Sequence, residues 1–124
     1  MSINSILTPA DLTGNDIVPG WYPAEIIKYE EAPSKGDQST NAIFFFKITG
    51  DGPTKGRELR RYFNEKSMFF GRNLWLTLGL IDKNKGGSLT TPMLESSVGK
   101  KLSIYIKKDK DGKFDTVEDF KPLV

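Results

Sequence analysis

The 124-residue sequence contains no cysteine and no histidine. Without cysteine there is no disulfide framework and no thiolate to act as nucleophile or ligand. Without histidine the commonest general base and a leading metal ligand are gone, which excludes a Ser-His-Asp triad and a histidine-bound zinc. Long apolar runs are lacking as well. The longest, Ala42 to Phe46, is far too short to cross a bilayer, so no membrane span is expected. Residues 1–16 are polar and acidic, with neither a basic start nor an apolar stretch, and the expected setting is a reducing cytoplasm.

What is present suits one folded domain. The chain is 37% hydrophobic, enough apolar material for a real core, and its length leaves little room for a second domain. The net charge of +2 is unevenly spread. Residues 1–34 hold one Lys against five acids, a net −4, whereas residues 35–124 hold 17 cations against 11 acids, a net +6. Positive charge therefore gathers where the strands fall, which points toward a polyanion.

Turn signals at Thr8-Pro9, Thr13-Gly14 and Pro19-Gly20 mark residues 1–20 as an N-terminal arm, leaving residues 21–124 as the domain. Trp21 to Tyr29 reads as a strand that Pro23 restricts to an edge or a strand start. After a polar loop, Ala42 to Thr49 is the strongest strand, with Phe44, Phe46 and Ile48 on the core side and Ile43, Phe45 and Lys47 opposite. Arg57 to Asn64 follows as a third strand. From Glu65 to Leu80 the period lengthens: Phe70, Leu74, Trp75 and Leu78 predict one buried helical face, capped at Asn64 or Ser67 and ended at Gly79. Asp82 to Pro92 reads as a loop. Lys101 to Lys107 and Phe114 to Phe120 then form two strands around an Asp-Gly hairpin turn.

The expected fold is therefore mainly β: a five-stranded OB-type β-barrel with one α-helix between strands 3 and 4. Chemistry finds no foothold in it. Neighbouring carboxylates such as Glu30-Glu31 and Glu118-Asp119 point to opposite faces of a strand and do not converge. The segment around Asp109 and Asp111 imitates a calcium loop, but Lys107 stands where its first oxygen ligand is needed. The glycine pairs lack the spacing of a phosphate-cradling loop. No enzyme, no metal and no cofactor are expected.

Binding of single-stranded nucleic acid has positive support. Such ligands are held by cations tracking phosphates and by aromatic faces that stack bases, and OB barrels use strands 2 and 3 with flanking loops. Strand 2 presents Phe45 and Lys47 outward. Strand 3 holds three of the four arginines, Arg57, Arg60 and Arg61, and places Arg60 and Tyr62 beside Phe45. Arg61 has inward parity and is expected at a barrel mouth or bulge. Lys35 comes from the first loop; Tyr105, Lys107 and Lys108 come from the fourth strand and its hairpin. Phosphates would meet Lys35, Lys47, Arg57, Arg60, Arg61, Lys107 and Lys108, while bases would stack on Phe45, Tyr62 and Tyr105. Trp75 reads as core.

The segments Val18-Pro19-Gly20-Trp21-Tyr22-Pro23-Ala24-Glu25-Ile26, Ser34-Lys35-Gly36, Phe44-Phe45-Phe46-Lys47-Ile48 and Gly56-Arg57, with the apolar helix, resemble small OB-fold single-stranded-DNA-binding proteins encoded by bacteriophages. The resemblance spans most of residues 18–120. It implies sequence-independent coating of single-stranded DNA in replication or recombination, with replication or recombination proteins as partners and the host cytoplasm as location. The C-terminal Glu118-Asp119-Phe120-Lys121-Pro122-Leu123-Val124 departs from the long acidic tail of many bacterial single-strand binders, so recruitment through such a tail is not expected. The competing expectation is a phage structural or assembly protein using the barrel as an interaction module. An oligosaccharide-binding barrel ranks last, because it calls for carboxylates and amides rather than an arginine-rich strand.

Overall fold

The computed structural model describes residues 3–4, 17–36, 38–112 and 114–123. Five antiparallel strands form one sheet: β1 (Gly20–Pro33), β2 (Thr40–Ile48), β3 (Glu58–Asn64), β4 (Lys101–Lys108) and β5 (Asp115–Lys121). Their order across the sheet is β3-β2-β1-β4-β5, so β1 is the shared central strand. Its first half pairs with β4 and its second half with β2. Pro23 is tolerated in this central strand because the β2 ladder starts only at Ala24, after the missing N–H. The carbonyl of Pro23 accepts from Thr49 N at 2.9 Å, which closes that end.

β-Branched and aromatic residues at alternate positions fix which face of β2 is inside. Phe44, Phe46 and Ile48 are all but fully buried, matching their assigned parity. Each contributes roughly 1.5–3 kcal/mol by leaving water. Opposite them, Lys47 is exposed and Phe45 half-buried, but Ile43 is buried, covered between Glu30 of β1 and Tyr62 of β3. The core extends through Ile26, Phe63, Trp75, Leu102, Ile104, Ile106 and Phe120. Ile17, in the segment read as the arm, is buried in it too, and Gly20 opens β1; residues 1–2 and 5–16 of the arm lie outside the described residues.

The single α-helix expected between β3 and β4 is replaced by three short pieces. A 3-10 helix, Glu65–Gly71, kinks at Ser67 and leads into α1 (Arg72–Thr77), and α2 (Thr91–Glu95) begins in the last two residues of the stretch read as a loop. Asn64 caps the first piece, its Oδ1 accepting from Lys66 N at 3.0 Å. Gly71, where the 3-10 helix passes into α1, is required by packing. A Cβ there would stand 2.6 Å from the Trp75 ring and 2.9 Å from Phe63, so only glycine lets those rings close over the backbone. With the helix broken, Phe70 does not share the buried face of Leu74, Trp75 and Leu78; it is 64% exposed. Trp75 is core, and its indole Nε1–H donates to the Met68 carbonyl at 2.7 Å.

The sheet is not closed: among the described residues no ladder joins β3 to β5. The two edges nonetheless approach. Phe63 and Phe120 have ring centroids 6.2 Å apart, and Arg57 Nη2 lies 3.7 Å from Asp115 Oδ2. No helix among the described residues is long and apolar enough to cross a membrane.

Candidate nucleic-acid interface

The outer face of β2 and β3 follows from their register. Phe45 pairs with Arg60, Ile43 with Tyr62, and Lys47 with Glu58. On the other side Phe45 pairs with Lys28 of β1. That placement depends on a bulge. Simple alternation from Tyr22, Ala24 and Ile26 would carry Lys28 into the core. A register shift between Ile26 and Lys28 turns it outward instead.

The result is a row of rings and cations. The Lys28 ammonium lies 5.3 Å from the Phe45 centroid, and the Arg60 guanidinium 5.8 Å from the Tyr62 centroid. Tyr62 is 46% exposed. Lys28 is also tied to Glu30 at 2.6 Å. Arg60 and Lys47 are exposed and have no ion-pair partner among the described residues. A cleft of about 460 Å³ runs beside this row, lined by Glu25, Ile27, Lys47 and Lys55. The face thus offers half-buried and exposed π-surfaces with cations alongside, the pairing that single strands exploit.

The other expected residues are distributed differently. Arg57 and Lys108 converge on Asp115, whose Oδ1 is 2.7 Å from Lys108 Nζ; both cations are half-buried in the approach of β3 to β5. Arg61 has its expected inward parity but sits at no bulge, because the β2–β3 register is continuous. Its guanidinium packs 4.9 Å from the Phe63 centroid, and its buried Nε finds no hydrogen-bond partner among the described residues. An inward charge on an edge strand of this kind discourages edge-to-edge pairing. Lys35 is exposed in the β1–β2 loop and Lys107 is exposed on β4. Tyr105 is half-buried against Trp21, away from β2 and β3. Of the ten expected residues, the fold therefore brings together Phe45, Lys47, Arg60 and Tyr62. The Asp-Gly segment is a hairpin turn as expected, Asp109 N donating to Phe114 O at 2.9 Å.

Sequence reasoning missed Lys28. The signal was there: alternation alone buries a lysine without a partner, a rare arrangement that a bulge relieves.

A second cleft, of about 300 Å³, lies between the end of β1, the 3-10 helix and α2. It has the wrong sign for phosphate. Glu31 and Glu65 line it, and Glu31 Oε2 accepts from Thr91 Oγ1 at 2.6 Å and from the Tyr29 hydroxyl at 2.7 Å. Those two donors hold the Glu31 carboxyl below its ordinary value, while burial and the bond to Glu31 push the Tyr29 hydroxyl up. The arrangement latches α2 to β1.

Comparison of the sequence with protein-family models and with curated proteins gives no match.

Proposed function

We propose that the chain is an OB-type barrel protein that binds single-stranded DNA without sequence preference, and that it performs no catalysis. The observation that carries this reading is the outward row of Lys28, Phe45, Arg60 and Tyr62, in which each outward ring has a cation beside it. Bases stack on such rings irrespective of sequence, and the cations meet the phosphates. The barrel reading is supported by the strand order, which leaves β3 and β5 as the two edges that must meet, and by the ring and ion-pair contacts between them. A role in phage replication or recombination, alongside the proteins of those processes and in the host cytoplasm, follows from the family resemblance.

Titration of labelled oligo-dT at low salt tests the proposal. Binding should weaken steeply as salt rises, by the release of counterions from phosphates. Absence of binding at low salt, or a salt-independent signal, would reject it.

One observation favours the second reading, a phage assembly component. Phe69 and Phe70, 61% and 64% exposed, lie tilted against each other with centroids 4.3 Å apart, an exposed aromatic pair of the kind that forms an interface core. Size-exclusion chromatography separates the readings: an assembly protein oligomerises without DNA.

A further inference from the structure

A second aromatic pair stands on the outer face of the sheet, at the start of β1. Trp21 pairs with Tyr105 of β4 across the ladder, and their rings meet edge to face at 5.4 Å. Trp21 is 39% exposed, unusual for a residue type that dominates cores and interfaces. The Lys121 ammonium lies 4.3 Å from its ring centroid, and the exposed Lys107 follows Tyr105 on the same face of β4. This repeats the arrangement on β2 and β3, where cations attend Phe45 and Tyr62.

The register puts the two platforms on one face of the sheet, because Glu25 pairs with Lys47 and so shares the outward side of Phe45. The bulge of β1 adds Lys28 to it. Trp21, Glu25 and Lys28 all face outward, although an unbroken alternation would turn Lys28 inward. Seven residue steps along the strand lead from Trp21 to Lys28, a span of roughly 23 Å at most. The cleft lined by Glu25, Lys47 and Lys55 lies on that span.

We propose that Trp21, Tyr105 and Lys121 form a second stacking platform for single-stranded nucleic acid, joined to the Phe45–Tyr62 platform along the outer face of β1. A base stacks on Trp21 in the place of the Lys121 ammonium, which swings to an adjacent phosphate. The inference rests on the binding function proposed above and adds a specific site and path to it.

The two tryptophans make it testable in the full chain. Trp75 is buried, so a change in tryptophan emission on binding reports Trp21. Labelled oligo-dT is followed by anisotropy at low salt, and unlabelled oligo-dT by tryptophan emission. The expected result is a quench that tracks the anisotropy. Trp21→Ala should weaken binding by about 10- to 100-fold, and Trp21→Phe should restore it to within a few-fold. Binding with unquenched emission, and Trp21→Ala binding as tightly as the parent, would overturn the platform while leaving the function standing. No anisotropy change with the parent protein would overturn both. The quench is read on the unaltered chain, so the test survives a Trp21→Ala variant that does not fold.

Discussion

The outer face of β2 and β3 and the approach of β3 to β5 carry the same residue types and use them differently. On the face, Arg60 is exposed and lies alongside Tyr62. Three residues earlier in the chain, Arg57 is half-buried and turned to Asp115, where Lys108 also arrives. Arg61, next to Arg60, is folded back over Phe63. Neighbouring arginines are thus divided between the exposed outer face and positions held by a carboxylate or a core ring. The divider is strand parity together with a carboxylate 58 residues away from Arg57 in sequence. A basic stretch is therefore a poor measure of a binding site until each cation's partner is known.

The contrast makes predictions that separate binding from stability. Replacing Arg60 and Tyr62 together by alanine should cost on the order of 100-fold in oligo-dT affinity. Both side chains are exposed, so thermal unfolding should stay within a degree or two of the parent; loss of fold with no separate loss of affinity would erase the distinction. Asp115→Ala should do the reverse. It removes the carboxylate on which Arg57 and Lys108 converge and should lower stability by roughly 1–3 kcal/mol in urea unfolding. Oligo-dT affinity should change only a few-fold.

A finer separation comes from salt. Arg60→Ala should reduce the slope of log affinity against log salt by about 0.7, one phosphate contact on a single strand. Arg57→Ala should leave the slope unchanged. Equal slopes for the two variants would mean that the face and the seam are not distinct.

The smallest effect expected is at the acidic cleft, which belongs to neither region. Glu31 has a lowered carboxyl pKa, so its latch contributes in full above the ordinary glutamate value of about 4.3 and is lost as pH falls below it. Glu31→Gln should remove the extra acid sensitivity in pH-dependent unfolding and leave oligo-dT binding as it was.

Much of the sheet is legible in the sequence because its cues are local. Alternation buries Phe44, Phe46 and Ile48, and Asp111-Gly112 marks the last hairpin. Phe45, Arg60 and Tyr62 could be placed on one face because two adjacent strands share a simple register. The errors arise where a non-local contact decides. Gly71 looks like a weak helix position, but the Phe63 and Trp75 rings that require it come from β3 and α1. Ile43 has outward parity and is buried all the same, because cross-strand neighbours cover it. The exposure of Trp21 is not legible locally because it depends on pairing with β4, some 84 residues downstream. α2 escaped because it is five residues long and shows no helical period of its own, only a proline near its start.

The proposed function requires the Lys28–Phe45–Arg60–Tyr62 row to hold a single strand through phosphate charge and base stacking. Its most direct test is equilibrium titration of oligo-dT across a salt series, with parent and Arg60→Ala/Tyr62→Ala proteins side by side. The predicted result is tight, steeply salt-dependent binding by the parent and about 100-fold weaker binding with a shallower slope for the variant. Identical curves for the two proteins, or no binding by the parent at low salt, would contradict it.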